Sequence, residues 1–200
     1  MAPRAVVAAT SNPGKVREFR TLLGDLPCEI LALEGAHAVR FPDEGSDYAA
    51  NATAKARAVA EQLGAWALAD DSGLEVTALG GAPGPFSARY GGEGLDDEGR
   101  VAHLLAALDG LPDAQRGARF VCVAALVGPG GECQLAEGEC LGQILHSPRG
   151  VGGFGYDPVF LPRGFEQAMA ELAPKDKDRI SHRGQAMARI RESLLELDTR

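Results

Sequence analysis

The 200-residue sequence lacks any apolar stretch long enough to cross a lipid bilayer as a helix. Its N-terminal apolar run, residues 5–9, is shorter than the hydrophobic core of a signal peptide and leads directly into a polar turn. We therefore expect a soluble, cytoplasmic protein that does not associate with a membrane.

Positive charge is scarce, because 20 Lys and Arg residues accompany 28 Asp and Glu residues and the formal net charge is -8. Binding along nucleic acid needs a basic surface, or aromatic side chains interleaved with basic ones, so we expect no nucleic-acid partner. An acidic protein that binds a polyphosphate has to do so through a local basic pocket or a metal ion.

The four cysteines (Cys28, Cys122, Cys133 and Cys140) include no CxxC pair, which argues against a structural zinc site. Cys122 lies in an apolar, strand-like run and is expected in the core. The sequence also has no P-loop, no glycine signature for dinucleotide binding, and no serine or cysteine nucleophile motif. These absences exclude several common classes of enzyme.

The most informative segment is a turn, residues 10–15, between a predicted strand and a predicted helix. Asn12 suits the N-cap of that helix, and Pro13 suits its first position. Lys15 then lies in the first turn, where a cation is unfavourable against the helix dipole unless an anion binds beside it to free backbone N–H groups. The alternative is a capped helix with a solvated lysine.

The order of the elements predicts an α/β fold for residues 1–200, taken as a single domain. Strands and helices alternate in the first half, and a long hairpin is predicted around the turn at residues 128–131. This order favours a mixed β-sheet with flanking helices, divided into two lobes around a cleft.

Asp70 and Asp71 follow an apolar run, residues 66–69, and are expected at the end of a buried strand. Two adjacent carboxylates there are costly unless they are paired or bind a cation, and Mg²⁺ is the usual cation beside a phosphate site. Because side chains alternate across a strand, only one of the two is expected to face a ligand. The alternative is an Asx-type turn at residues 71–73.

Several weaker signals accompany these motifs. A basic cluster within residues 175–183 is either an anion site at a helix start or a solvated face. Phe154, which lies between glycines, is either a stacking surface for a nucleobase or a core residue at a tight turn. Arg89 is either a phosphate contact or one partner of a surface ion pair. Asp43 and Glu44 are either further metal ligands or part of a solvated loop.

Seven motifs, taken in this order, resemble the inosine triphosphate pyrophosphatase family, whose members clear dITP, ITP and XTP from the nucleotide pool. The motifs are residues 10–15 with Glu18, 51–56, 69–74, 80–84, 87–90, 153–158 and 181–183. Each motif alone is weakly specific, but seven in register across almost the whole chain are strongly specific.

The resemblance implies Mg²⁺-dependent hydrolysis of the α–β phosphate link by a homodimer whose elongated mixed sheet has two lobes around a central nucleotide-binding cleft. It implies that Asp71 is both the general base and a metal ligand. With Arg89 added, the predicted substrate-binding residues are Thr10, Ser11, Asn12, Pro13, Gly14, Lys15, Ser72, Arg89, Phe154, Gly155, Tyr156, Asp157, Lys177, His182 and Arg183. The first six would hold the triphosphate, and the last seven would bind the base and sugar.

The sequence departs from the family pattern in ways that affect the second metal ligand. Ala50 stands where the family often has glutamate, and counting back from Asn51 selects Asp43 as the ligand, or Glu44 if the register slips by one residue. Two other functions stay open at this point. One is a nucleotide pyrophosphatase with a different base preference, and the other is a nucleotide-binding module without catalytic activity.

Overall fold

A computed structural model describes residues 4–33 and 39–197. The helices are α1 (Pro13–Leu23), α2 (Tyr48–Leu63), α3 (Asp97–Ala107), α4 (Pro174–Ile180) and α5 (His182–Leu197). The strands are β1 (Arg4–Ala8), β2 (Cys28–Ala32), β3 (Trp66–Val76), β4 (Pro83–Gly84), β5 (Gly117–Val127), β6 (Cys133–Ile144) and β7 (Phe160–Pro162). Among the described helices, none is long and apolar enough to cross a membrane.

The strands form a seven-stranded sheet in the order β2-β1-β3-β5-β6-β7, with β4 paired to β3. β1 runs parallel to both β2 and β3, whereas β4 is antiparallel to β3 and β7 is antiparallel to β6. The sheet is therefore mixed and has helices between its strands in the chain, so the predicted α/β class is confirmed.

The two long helices of the N-terminal half begin where local chemistry predicts. The Oδ1 atom of Asn12 accepts hydrogen bonds from the N–H groups of Gly14 and Lys15, at 2.8 and 3.3 Å, and so caps α1. Asp47 caps α2 in the same way, and α2 ends at Gly64, whose φ of 61° is the left-handed conformation that glycine adopts most easily.

The chain divides into two compact units, each with its own hydrophobic core. The first unit comprises Met1–Asp71, Cys122–Gly138 and Arg183–Arg200. The second unit comprises Ser72–Val121 and Glu139–His182.

In the first unit, both faces of the sheet are covered. On one face, Leu68 belongs to a buried cluster with Phe19 of α1 and Met187 of α5. On the other face, the neighbouring Ala69 belongs to a cluster with Val59 of α2. Strand side chains alternate between faces, so residue 70 continues the α1 and α5 side, and residue 71 continues the α2 side.

In the second unit, the core contains a buried arginine that sequence patterns do not indicate. Arg116 is 2% exposed, and its guanidinium donates 2.8 Å hydrogen bonds to the carbonyl oxygens of Leu108, Ile144 and Leu145. These three acceptors replace water around the buried charge. The bonds therefore connect the end of α3 to the end of β6.

The prediction that β3 ends at the paired aspartates is wrong, and so is the alternative of an Asx turn. β3 continues to Val76 because a second strand pairs with its C-terminal part. β1 pairs with Trp66–Leu68, and β4 pairs with Leu74 and Glu75. Asp70 and Asp71 therefore lie within a strand, just beyond its parallel partner. The short helix α4 is also absent from the sequence prediction, since its seven residues carry no apolar periodicity.

Candidate active site

The two adjacent aspartates of β3 face opposite sides of the sheet and meet different helices. Asp70 contacts residues of α1 and α5, whereas Asp71 contacts residues of α2. Both are almost fully buried, at 1% and 4% exposure. A buried carboxylate needs a cation or several donors to remain charged, and each aspartate has its own set.

On the first face, Asp70 lies between two cations. Its Oδ1 atom is 2.9 Å from Lys15 Nζ, and its Oδ2 atom accepts hydrogen bonds from Arg183 Nη2 at 2.8 Å and Nε at 3.1 Å. Arg183 Nη1 also donates to Glu18 Oε2 at 2.6 Å. Lys15 and Glu18 are three residues apart on α1 and so share one helix face. The four side chains form an alternating set of two positive and two negative charges.

The charges around Asp70 outweigh the cost of burying it. Burial alone would raise the pKa of the Asp70 carboxyl, but Arg183, Lys15 and Lys55 together hold that pKa well below its usual range. The thiol of Cys122, which is buried as predicted, lies 3.8 Å from Asp70 Oδ2, and burial raises its pKa. The lowered pKa makes Asp70 a poor proton acceptor, so we describe it as a structural anion.

On the second face, Asp71 is held by two side chains of α2. Lys55 Nζ lies 2.7 Å from Asp71 Oδ1 and 2.8 Å from Glu44 Oε1, and so bridges two carboxylates. Asn51 Nδ2 donates to Asp71 Oδ2 at 2.9 Å. The Asn51 side chain also exchanges two hydrogen bonds with the backbone of Gly45, which fixes the acidic loop against α2.

At Asp71, the effect of burial on the pKa outweighs the effect of the neighbouring donors, which is the reverse of the result at Asp70. Burial raises the pKa of Asp71, and the opposing effects of Lys55 and Asn51 do not cancel it. Burial also disfavours the charged form of Lys55, but Asp71 and Glu44 raise its pKa overall, so it stays an ammonium. A carboxylate that binds protons more readily than an ordinary aspartate is suited to general-base catalysis.

In the acidic loop, Glu44 is linked to Asp71 because both carboxylates pair with Lys55. The side chain of Asp43 is exposed. The described residues include no group of three or more His, Cys, Asp or Glu that could hold a metal alone. Mg²⁺ commonly uses only one or two protein carboxylates and takes its remaining ligands from waters and phosphates. Two carboxylate oxygens that already converge on one positive charge fit that requirement.

The turn at residues 10–15 lies beyond the C-terminal end of β1, next to Asp70. Asn12 Oδ1 accepts hydrogen bonds from the backbone N–H groups of Gly14 and Lys15, so the predicted cap is present. These two N–H groups are therefore not free for an anion, as the anion-site interpretation of the turn required. Thr10 Oγ1 in turn accepts the N–H of Asn12 at 3.1 Å. Ser11, Asn12 and Pro13 are exposed. The turn therefore offers an ordered Lys15 and polar side chains, with two of its amides already used.

In the second unit, the Asp157 carboxylate organises the glycine loop that contains Phe154. Asp157 Oδ2 accepts hydrogen bonds from the Phe154 N–H at 2.9 Å and from Lys177 Nζ at 2.7 Å. Lys177 Nζ also lies 5.1 Å from the centre of the Phe154 ring. A Cβ atom at Gly153 would come within 2.0 Å of Asp157 Oδ2, so only glycine fits there. Gly155 donates its N–H to Asp97 Oδ2 at 2.7 Å.

Four other predicted substrate contacts also lie in the second unit. Tyr156 is buried, and its hydroxyl donates to the Ser87 carbonyl oxygen at 2.9 Å. His182 is buried and stacks on Phe120 at 4.7 Å between ring centres. The Arg89 guanidinium lies 4.9 Å from the centre of the Phe86 ring, and Ser72 is partly exposed in β3. The positions of these four residues do not test whether they contact a substrate, so their substrate-binding roles stay predictions.

Sequence reasoning missed the roles of Lys55, Asn51 and Glu18, although all three fall within the seven motifs. Asn51 and Lys55 are four residues apart on α2, so they share a face with each other, and this face packs against the sheet. Polar side chains on the buried side of an alanine-rich helix are the signal that could have identified them.

Comparisons with known proteins agree on one family. The model of the Ham1 family matches residues 6–193. The chain is 48% identical over 187 residues to a dITP/XTP pyrophosphatase of Gloeobacter violaceus, covering 94% of this chain and 92% of that protein. It is 46% identical over 200 residues to a dITP/XTP pyrophosphatase of Geobacillus kaustophilus, covering 97% and 96%.

Solved structures give the same result. A HAM1 protein from Coxiella burnetii superimposes with a TM-score of 0.82 at 38% identity, covering 96% of this chain and 99% of that one. A nucleoside-triphosphatase, or dITP/XTP pyrophosphatase, from Mycobacterium abscessus superimposes with a TM-score of 0.74 at 42% identity, covering 93% and 98%.

Proposed function

This chain belongs to the Ham1 family, and on that premise we propose that it hydrolyses dITP, ITP and XTP at the α–β phosphoanhydride. The products are the nucleoside monophosphate and pyrophosphate. The observation that carries the proposal is the pair of aspartates on β3, of which only Asp71 has a raised pKa and lies beside an ammonium and a second carboxylate. The names of the curated relatives support the same substrate class.

Substrate phosphates are proposed to bind at Lys15 and the polar side chains of its turn. An acidic chain needs a local positive site for a polyanion, and Lys15 is an ordered ammonium with a partly exposed side chain. Its bond to Asp70 fixes the ammonium in place, which lowers the conformational cost of binding a phosphate.

Mg²⁺ is the proposed cofactor, with Asp71 and Glu44 as the residues that would hold it and Asp43 as the alternative second ligand. When bound, the ion would neutralise charge on the phosphate oxygens during hydrolysis. Asp71 accepts the proton of the attacking water, since burial gives its carboxylate a greater proton affinity than an ordinary aspartate.

Nucleoside recognition is assigned to Phe154, Asp157, Lys177 and His182 of the second unit. The Phe154 ring offers a stacking surface, and the donors are suited to a keto oxygen at purine position 6. An amino group in that place would leave buried donors unpaired, a penalty sufficient to reject adenine.

The direct test is pyrophosphate release from dITP, XTP, dGTP and dATP, with and without Mg²⁺. We expect turnover of dITP and XTP that requires the metal, and little turnover of dATP. Equal turnover of dATP and dITP would mean a different base preference. Nucleotide binding without any turnover would mean a non-catalytic module.

Two further properties of this protein are proposed on the family resemblance. The protein is expected to be a cytoplasmic homodimer. Light scattering during gel filtration should give twice the mass of one chain, and a mass equal to one chain would overturn the dimer.

A further inference from the structure

Lys55 occupies the position of a cation between two carboxylates. Its Nζ atom lies 2.7 Å from Asp71 Oδ1 and 2.8 Å from Glu44 Oε1, and its side chain is only 11% exposed. The second oxygen of Asp71 accepts a hydrogen bond from Asn51. Each oxygen of Asp71 therefore already has a donor at short range.

The charge of this group differs from the charge of the group around Asp70. Lys15, Asp70, Arg183 and Glu18 carry two positive and two negative charges. Lys55, Asp71 and Glu44 carry one positive and two negative charges. Among these side chains, the second group therefore carries more negative than positive charge, which favours a further cation.

A divalent ion cannot join the group while Lys55 keeps both of its bonds. Mg²⁺ binds carboxylate oxygens at about 2.0–2.1 Å. An ion at that distance from oxygens that also hold an ammonium would lie close to a like charge, where repulsion is strong at low dielectric. The two carboxylates can therefore bind either the ammonium or the divalent ion at close range, but not both.

We propose that Lys55 is an internal competitor of the divalent cation, and that metal binding requires its ammonium to leave Asp71 and Glu44. This inference rests on the proposed function only in taking Asp71 and Glu44 as the metal ligands. The nucleotide-free protein then binds Mg²⁺ weakly because each binding event breaks two short ion pairs. The freed ammonium becomes available to an anion.

The test is titration of the nucleotide-free protein with Mg²⁺ alone, at constant neutral pH, by calorimetry. Lys55→Met should bind Mg²⁺ at least about tenfold more tightly than the wild type, because the competing charge is gone. Its melting temperature should also rise more with Mg²⁺ than that of the wild type. Equal or weaker binding by Lys55→Met would overturn the competition.

Lys15→Met is the matched control, since it removes the same charge from the other face of β3. Lys15 contacts Asp70, which is not a proposed metal ligand, so the affinity for Mg²⁺ should change less than about threefold. An equally large gain in Lys15→Met would show that net charge, and not local competition, controls the affinity, and would overturn the proposal.

The wild-type protein provides a second test that does not depend on a variant folding. The ¹⁵Nζ resonance of Lys55 should shift as Mg²⁺ is added, while that of Lys15 stays in place. A stationary Lys55 signal at saturating metal would overturn the proposal. Failure of the proposed function is a separate result, because absence of dITP hydrolysis leaves both metal titrations readable.

Discussion

Asp70 and Asp71 are chemically identical neighbours, and the two faces of β3 give them opposite properties. On the α1 and α5 face, two cations surround one carboxylate and hold its pKa below the usual range. On the α2 face, two carboxylates share one ammonium, and burial raises the pKa of Asp71. The number of cations that contact each aspartate, two at Asp70 and one at Asp71, therefore separates a structural anion from a reactive one.

The largest expected effect is on turnover, and it comes from the α2 face. Asp71→Asn should lower the rate of dITP hydrolysis about a thousandfold or more, since it removes a general base and a metal ligand together. Lys55 keeps its bond to Glu44, so the variant should still fold and bind nucleotide. Steady-state pyrophosphate release measures the effect.

Asp47→Asn is the control for this substitution, because Asp47 is an exposed cap on the same helix and asparagine also caps helices well. Its turnover should stay within about twofold of the wild type. If Asp71→Asn kept a tenth of the wild-type rate, Asp71 could not be the base.

The second effect is on stability, and it comes from the α1 and α5 face. Asp70→Asn should lower the free energy of unfolding by about 3 kcal/mol, because the buried Arg183 and the partly buried Lys15 would lose their shared counter-charge. Urea denaturation at neutral pH measures it. A loss below about 1 kcal/mol would mean that the cations find other partners and that Asp70 is not the structural anion.

The fall in the free energy of unfolding at acid pH provides a further test of the difference between Asp70 and Asp71. The pKa of Asp70 is lowered from 3.8 in the folded state, so its stabilisation is complete above that pH and is lost as the pH falls further. Asp71 acts in the opposite direction, because its raised pKa makes protonation favour the folded state. Asp70→Asn should therefore flatten the fall in unfolding free energy below the ordinary aspartate pKa. An unchanged fall at acid pH would contradict the assignment.

The smallest expected effect is on the free energy of unfolding, and it comes from Glu18, the second carboxylate of the group around Asp70. Glu18→Gln keeps a neutral acceptor for Arg183 but removes a charge, and should cost about 1 kcal/mol in the free energy of unfolding. Glu61→Gln, at an exposed site on α2, should change it by less than about 0.5 kcal/mol. Equal effects would show that Glu18 does not support Arg183. Thermal denaturation of both variants measures the difference.

The features that are predictable from the sequence are those fixed by local chemistry. Asn12 is a good cap in any context, so the predicted start of α1 is correct. The opposed directions of Asp70 and Asp71 follow from strand alternation alone. The predicted strand is too short, because its continuation depends on β4, a two-residue partner with no sequence signal.

The features that are not predictable depend on contacts distant in sequence. Glu18 and Arg183 are 165 residues apart, and no local pattern indicates that they pair. The choice between Asp43 and Glu44 depends on how Asn51 fixes the loop at Gly45, which residue spacing does not encode. Lys55 is an intermediate case, since its place on the buried face of α2 is predictable but its bridging role is not.

Separate pKa values for the two aspartates measure the difference between the faces most directly. A pH titration followed by ¹³C resonances of the side-chain carboxyl groups, assigned with Asp70→Asn and Asp71→Asn, provides them. Asp71 should take up its proton above pH 3.8, and Asp70 should stay ionised for as long as the protein remains folded in acid. Protonation of Asp70 at the higher pH, or a common value for both, would contradict the division between a structural and a reactive carboxylate.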